Sequence, residues 1–262
     1  MNEAEFSGPL QRGDMSRRLA HSPAGETAIA VQDLTFAWPG GAPVLDIPEL
    51  HIARNEKVFV EGPSGSGKST LLGLIGGVLT PARGKVMLLG QNLGALSAAG
   101  RDRFRAEHLG IVFQMFNLLP YLSLIDNVIL PCRFSLRRRE AALAATGTLT
   151  GEARRLLAHL GLKDEALLRR PVTQLSVGQQ QRVAAARALI GGPEILIADE
   201  PTSALDARAQ GRFLELLIEE CERAQSALVF VSHDTALSRF FTRTIALPEV
   251  NRAAQAPEEE GA

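Results

Sequence analysis

The sequence predicts an α/β fold: a mostly parallel sheet buried on both faces, with an α-helical subdomain inserted into it. Three observations carry this. The runs Glu194-Ile195-Leu196-Ile197-Ala198-Asp199 and Ala227-Leu228-Val229-Phe230-Val231 are continuously apolar, as strands covered on both faces are. A third run, Lys57-Val58-Phe59-Val60-Glu61, passes directly into a glycine-rich turn and then a helix-compatible segment. Residues 98–170 are rich in Ala, Leu and Arg at helical spacing, with no run of β-branched residues beyond Gly110-Ile111-Val112-Phe113.

Taken in order, residues 1–27 mix Glu3, Glu5, Arg12, Asp14, Arg17 and Arg18 with small residues. They lack the apolar centre of a secretory signal and read as a disordered leader. Val44 to Ile52 and Lys57 to Glu61 read as strands. The apolar segment Thr70-Leu71-Leu72-Gly73-Leu74-Ile75 places a helix over 68–79, stopped by Thr80-Pro81 and Gly84. Lys85 to Leu89 is a short strand closed by Gly90, and the helical subdomain then occupies 98–170. Ala207 to Glu222 is amphipathic, with Phe213, Leu214, Leu217 and Ile218 on one face. Thr242 to Leu247 forms a last strand, the main domain covers 28–248, and 249–262, with Pro257-Glu258-Glu259-Glu260, reads as a flexible tail.

Composition narrows the function classes. The chain has 262 residues, 45% hydrophobic and 22% charged, as ordinary globular proteins do. A net charge of −1 gives no support to general nucleic-acid binding, which draws on a basic face. No stretch of about 18 apolar residues occurs, so the chain is expected not to span a membrane by itself. Cys132 and Cys221 stand far apart in no ligand-like spacing and read as small buried hydrophobes. Arg133 and Arg137-Arg138-Arg139 read as solvated helix surface, with contact to anionic lipid headgroups as the weaker alternative.

The turn after Glu61 reads Gly62-Pro63-Ser64-Gly65-Ser66-Gly67-Lys68-Ser69-Thr70. A polyphosphate needs donors and cations delivered without bulk. Gly62, Gly65 and Gly67 allow a curl in which successive N–H groups point inward, and the following helix adds its positive end. Lys68 is placed to reach the β- and γ-phosphates, and the Ser69 hydroxyl to ligate Mg²⁺. A flexible linker would need neither the Lys-Ser-Thr ending nor the flanking strand and helix. Asp199, closing its strand, suits the magnesium carboxylate of such sites, and Glu200 suits the general base that activates water.

Leu175-Ser176-Val177-Gly178-Gln179-Gln180-Gln181-Arg182 resembles the signature of the nucleotide-binding subunits of ATP-binding-cassette (ABC) transporters, and it precedes the Asp199-Glu200 strand. Ser203-Ala204-Leu205-Asp206 resembles that family's D-loop, Gln114 its Q-loop glutamine and His233 its switch histidine. The resemblance covers roughly residues 28–247. It implies a RecA-like P-loop NTPase core with a small antiparallel β part and the inserted helical subdomain. It also implies that ATP and Mg²⁺ bind: the loop 62–70 holds the phosphates, Trp38 stacks on adenine, and Ser69, Gln114 and Asp199 hold the metal. Glu200, His233 and Gln114 serve catalysis. Ser176, Val177, Gly178, Gln179 and Asp206 would reach the ATP of a second copy in a head-to-tail dimer. Read by itself, Ser176-x-x-Gln179 is a capping box opening a strong helix, Gln114 is a surface glutamine and His233 a strand-end histidine. Val177 departs from the family, which has glycine there, and places a side chain at the phosphate-facing turn.

Phe113-Gln114-Met115-Phe116-Asn117-Leu118-Leu119-Pro120 with Asn127-Val128-Ile129-Leu130-Pro131 resembles the lipoprotein-releasing and macrolide-efflux branch of the family. The resemblance implies integral membrane permease subunits as partners, with a periplasmic or adaptor component as a further candidate. It implies a peripheral location on the cytoplasmic face of the inner membrane. The alternative is a soluble ABC-type ATPase acting on nucleic acid or ribosomes, against which stand the charge balance and the lack of a coiled-coil insertion or a second cassette.

Overall fold

The structure, a computed structural model, describes residues 27–168 and 170–255. The expected leader lies outside the described residues apart from Thr27, which opens the first strand, and so do residues 256–262 of the expected tail. Two sheets form the framework. In one, β1 (Thr27–Ala37) pairs antiparallel with β2 (Pro43–Ala53) and β4 (Arg83–Leu88), and β5 (Gln91–Asn92) extends the β4 edge. The other is parallel, running β6 (Leu109–Val112), β7 (Ile195–Asp199), β8 (Ala227–Val231), β3 (Lys57–Glu61), β9 (Arg243–Ala246) across its width.

The parallel strands sort their side chains at a period of two. Phe59, Val112, Leu196, Ala198, Leu228 and Phe230 join a core shared with the helical insertion. Val58, Val60, Ile195, Ile197, Val229 and Val231 join a second core with the antiparallel sheet and α1 (Lys68–Ile75). Both faces are covered, which is why these strands read as continuous apolar runs. The first core is fastened by Phe59, Phe230 and Phe241, whose rings lie 5.1–6.2 Å apart.

The helical region differs from the sequence reading in its bounds. After α2 (Ala98–His108), β6 enters the parallel sheet and pairs with β7, so 98–112 belongs to the core. The inserted helices are α3 (Leu124–Ile129), α4 (Leu136–Thr146), α5 (Leu149–His159) and α6 (Glu165–Leu168). Then α7 (Val177–Leu189) returns to β7, and α8 (Ala207–Arg223) links β7 to β8 with Phe213, Leu214 and Leu217 buried as its periodicity predicts. Arg155 of α5 fastens the insertion to α8. It donates to Glu152 at 2.7 and 2.9 Å and to Glu220 of α8 at 2.9 Å twice.

Three further expectations are corrected. Helix α1 ends at Ile75, because Gly76 and the left-handed Gly77 turn the chain there. The tail expected from 249 is docked as far as 255: α9 (Leu247–Val250) and a 3₁₀ turn (Arg252–Gln255) follow β9. Buried Asn251 accepts from the Asp46 amide at 2.8 Å and donates to the Val44 carbonyl at 2.9 Å. Arg138, read as solvated, is only 2% exposed. Its guanidinium donates to the carbonyls of Leu109, Ala188 and Ile190, joining α4 to β6 and the end of α7, and burial lowers its pKa to about 10. Cys132 and Cys221 are buried and free, and burial pushes the Cys221 thiol up to about 12.

Candidate active site

In the parallel sheet Val112, Ala198, Phe230 and Phe59 are in register across β6, β7, β8 and β3. The residues just beyond them are Gln114, Asp199-Glu200, His233 and the loop from Gly62. Four carboxyl ends of adjacent parallel strands therefore deliver the phosphate loop, Gln114, Asp199, Glu200 and His233 to one edge, the place where open α/β sheets bind ligands. A cavity of about 490 Å³ opens there, lined by Trp38, Val44, Ser64, Gly65, Gly67, Lys68, Ser69, Thr70, Gln114, Asp199 and Glu200.

The loop has the shape its glycines were expected to allow. Gly65 and Gly67 are left-handed (φ 82° and 95°), and Gly67 caps α1 without a side chain. A Cβ on Gly67 would lie 2.7 Å from Leu45 Cδ2, and one on Gly62 would lie 2.6 Å from Ser66 Oγ. The Lys68 ammonium lies across the loop, donating to the carbonyls of Gly62 at 2.7 Å and Pro63 at 2.9 Å. Ser66 Oγ is buried without a hydrogen-bond partner among the described residues. An orphaned hydroxyl, a cationic side chain satisfied only by its own loop and a helix N-terminus together fit an anionic oxygen cluster. Ser69 Oγ donates to Asp199 Oδ2 at 3.3 Å. This hydroxyl and carboxylate are hard oxygen donors of the type Mg²⁺ takes, and they fit an ion held largely through phosphate oxygens. Burial pushes the Asp199 carboxyl above its ordinary range, against the Ser69 hydrogen bond, with the Glu200 charge raising it further and Lys68 lowering it.

Glu200 occupies a left-handed position (φ 43°), and its amide donates to the Val231 carbonyl at 2.9 Å. That bond ties the turn after β7 to the end of β8 and aims the carboxylate at His233, whose Nδ1 lies 3.1 Å from Oε2. His233 is exposed and Glu200 is mostly covered, with side-chain exposures of 65% and 20%. A carboxylate beside a phosphate site, hydrogen-bonded to an imidazole, can take a proton from water. Trp38 is half-exposed at the rim and meets Phe36 edge-on, with ring centres 5.1 Å apart and an interplanar angle of 88°.

The remaining predicted residues do not line this cavity. Ser176 caps α7, accepting from the Gln179 amide at 3.3 Å while Gln179 Oε1 accepts from the Ser176 amide at 2.9 Å. Val177 is exposed, and a Cβ on Gly178 would meet only the tip of Leu205 at 3.1 Å. Asp206 caps α8 through the Ala209 amide at 2.8 Å. Sequence reasoning missed β1 and the buried polar anchors of the loop after Gln114. Asn127, fully buried, holds that loop through Leu119, Leu122 and Ser123, and Arg187 holds its bend.

A second concavity of about 600 Å³ lies beside the Gln114 loop, where Phe113, Leu130, Pro131 and Phe134 meet Arg103 and Arg187. Phe134 and its neighbour Leu136 are 71% and 75% exposed. Apolar side chains of this size left open at one place mark a surface for a partner.

The family model described as ABC transporter matches residues 45–203. The lipoprotein-releasing system ATP-binding protein LolD of Xanthomonas euvesicatoria pv. vesicatoria is 38% identical over 205 residues, 78% of this chain and 80% of that protein. The macrolide export ATP-binding/permease protein MacB of Rhodopseudomonas palustris is 38% identical over 226 residues, 86% of this chain and 31% of the longer relative. Among solved structures, the dimeric ABC transporter cassette MJ0796, from Methanocaldococcus jannaschii, aligns with a TM-score of 0.72 at 34% identity, over 83% of this chain and 93% of the cassette. MJ0796 is also solved as a post-hydrolysis dimer bound to ADP and Pi, with the same TM-score of 0.72.

Proposed function

The chain belongs to the ABC transporter family, and from that premise we propose that it is the ATP-hydrolysing subunit that powers a separate membrane permease, working as a head-to-tail pair with two ATP at the interface. The observation that carries the paired arrangement is the separation within one chain. The phosphate loop, Asp199 and Glu200 share a cavity, while Ser176 to Gln179 sit at the start of α7, Ser176 and Val177 exposed and Gly178 and Gln179 half-buried, and line no part of it. The cavity is then half a site. The other half comes from the α7 N-terminus of a second copy, whose free amides and helix dipole suit a γ-phosphate. MJ0796, a cassette similar over most of both chains, is solved as a dimer.

The chemistry follows from the chain's own groups. Backbone amides of 62–68 and the Lys68 ammonium bind the phosphates, and Trp38 offers a ring face to the base. Magnesium, when held by Ser69, Asp199 and Gln114, supplies charge neutralisation at the phosphate oxygens. Glu200 takes a proton from water as the water oxygen bonds to the γ-phosphorus and the bond to the ADP oxygen breaks. His233 holds the Glu200 carboxylate and meets the terminal phosphate. No described helix is long and apolar enough to cross a membrane. The concavity beside Gln114 is the place for a permease segment. The likeness to LolD and MacB favours the lipoprotein-releasing or macrolide-efflux branch, with a periplasmic or adaptor component as a further partner.

Phosphate release by the purified chain, and its loss in Lys68→Ala with ATP affinity, tests the enzyme. Co-purification from detergent-solubilised membranes tests the transporter role. Recovery with nucleic acid or ribosomes and no integral membrane protein overturns that role.

A further inference from the structure

We propose that Arg187 is a positioning residue that latches the Gln114 loop to α7, so that the glutamine and the Ser176 end of that helix move as one body. This inference rests on the ATPase reading above. Gln114 itself makes no hydrogen bond among the described residues, so its place is set by its neighbours. Two residues later the chain makes a bend that L-residues seldom adopt: Phe116 and Asn117 are consecutively left-handed, at φ 56° and 49°. Something must hold such a bend. The Asn117 amide donates back to the Met115 carbonyl at 2.6 Å, and the Phe116 side chain is buried in the first core. The remaining carbonyls of the bend point to one side chain. Arg187 donates to Phe116 O at 2.5 Å and to Asn117 O at 2.7 Å, a forked grip suited to a guanidinium.

Arg187 lies on the helix that Ser176 caps. Its grip therefore joins the residue beside the chain's own ATP to the residues that reach the partner's ATP. Arg187, Asn117 and Phe113 also line the concavity assigned to the permease, so a segment docked there touches both halves of the latch. Burial lowers the Arg187 pKa, as expected of a guanidinium enclosed at a junction. Without the fork, the left-handed pair is free to relax, and Gln114, separated from it only by exposed Met115, leaves the cavity rim.

The test is Arg187→Met in the full chain, which keeps the apolar stem and removes both donors. ATP affinity, measured by calorimetry in EDTA, is expected within about twofold of wild type, because the phosphate loop is untouched. kcat is expected to fall by about tenfold or more, the factor carried by one charge-assisted hydrogen bond, and the Mg²⁺ concentration for half-maximal rate to rise. Adding Asn117→Gly, which adopts φ > 0 without cost, is expected to restore a large part of kcat. A purely structural role predicts instead that kcat and ATP affinity fall together and that glycine rescues nothing. If Arg187→Met does not accumulate folded, Arg187→Lys, which retains the charge but not the fork, must show the same split on a smaller scale. Unchanged kcat in a folded Arg187→Met chain overturns the latch alone. A wild-type chain that does not hydrolyse ATP overturns the proposed function instead.

Discussion

Replacing Glu200 by Gln isolates the proton acceptor from everything else this residue does. Its left-handed backbone costs about 1–2 kcal/mol for either side chain, so that term cancels between the two proteins. The amide bond to Val231 O survives, and a glutamine oxygen still accepts from His233 Nδ1 at the 3.1 Å seen here. The phosphate loop and Trp38 are not touched. What disappears is the ability to take a proton from water, and a positioned general base is worth about 10²–10⁴ in rate, or about 3–5 kcal/mol at 1.36 kcal/mol per decade. Single-turnover and steady-state phosphate release should therefore fall by about two to four decades. ATP affinity should hold within about twofold, and melting temperature should barely move. Because reopening follows hydrolysis in the proposed cycle, ATP should now retain the chain as a dimer on size-exclusion chromatography. Hydrolysis at the wild-type rate would refute the assignment of Glu200 as base. A parallel loss of ATP affinity would show that the residue acts in binding.

Other perturbations probe the frame around this step. Gly67→Ala forces a side chain into a left-handed position with its Cβ 2.7 Å from Leu45 Cδ2, and calorimetry should find ATP binding lost while circular dichroism stays native; wild-type affinity would show the loop can shift freely. Asp199→Asn should abolish Mg²⁺-dependent turnover yet raise the melting temperature of the nucleotide-free chain at neutral pH. The sign follows from linkage: burial raises the folded carboxyl above 3.8, so the folded state binds the proton more tightly, and stability is lost as pH rises from the unfolded to the folded value. The asparagine variant should therefore gain nothing at pH below that window, and a neutral-pH loss of stability would contradict the account. Arg155→Met leaves the carboxylates of Glu152 and Glu220, 6% and 3% exposed, facing each other with only the longer contacts of His159 and Arg223 to Glu220, each at 3.6 Å. Urea unfolding should show a loss of about 3–5 kcal/mol, and a loss under about 1 kcal/mol would mean the pair finds new partners or protonates.

The local features are legible in the chain's own residue order. Gly62 to Thr70 encodes its own curl in three glycines and its charge in Lys68, and the strands on either side are visible because burial on both faces removes polar alternation. The cap Ser176-Gln179 is complete within four residues, and so legible in one dimension. Strand β1 was not legible, because a shift of register between Gln32 and Thr35, with Asp33 at φ 48°, breaks the period on which a strand reading depends. Asn251, Arg138 and Arg187 were equally silent. Each is a polar residue whose meaning lies in carbonyls and amides tens to hundreds of residues away, and charge or polarity alone does not say which side chain will be covered. Tertiary structure also decided the shape of the site. Parallel register across β6, β7, β8 and β3 brings Gln114, Glu200, His233 and Lys68 to one edge, and the same packing keeps Ser176 away from it. Sequence supplied the chemical groups; only the closing of the sheet, through non-local hydrogen bonds, sorted them into two halves that meet across a pair of chains in the proposed dimer.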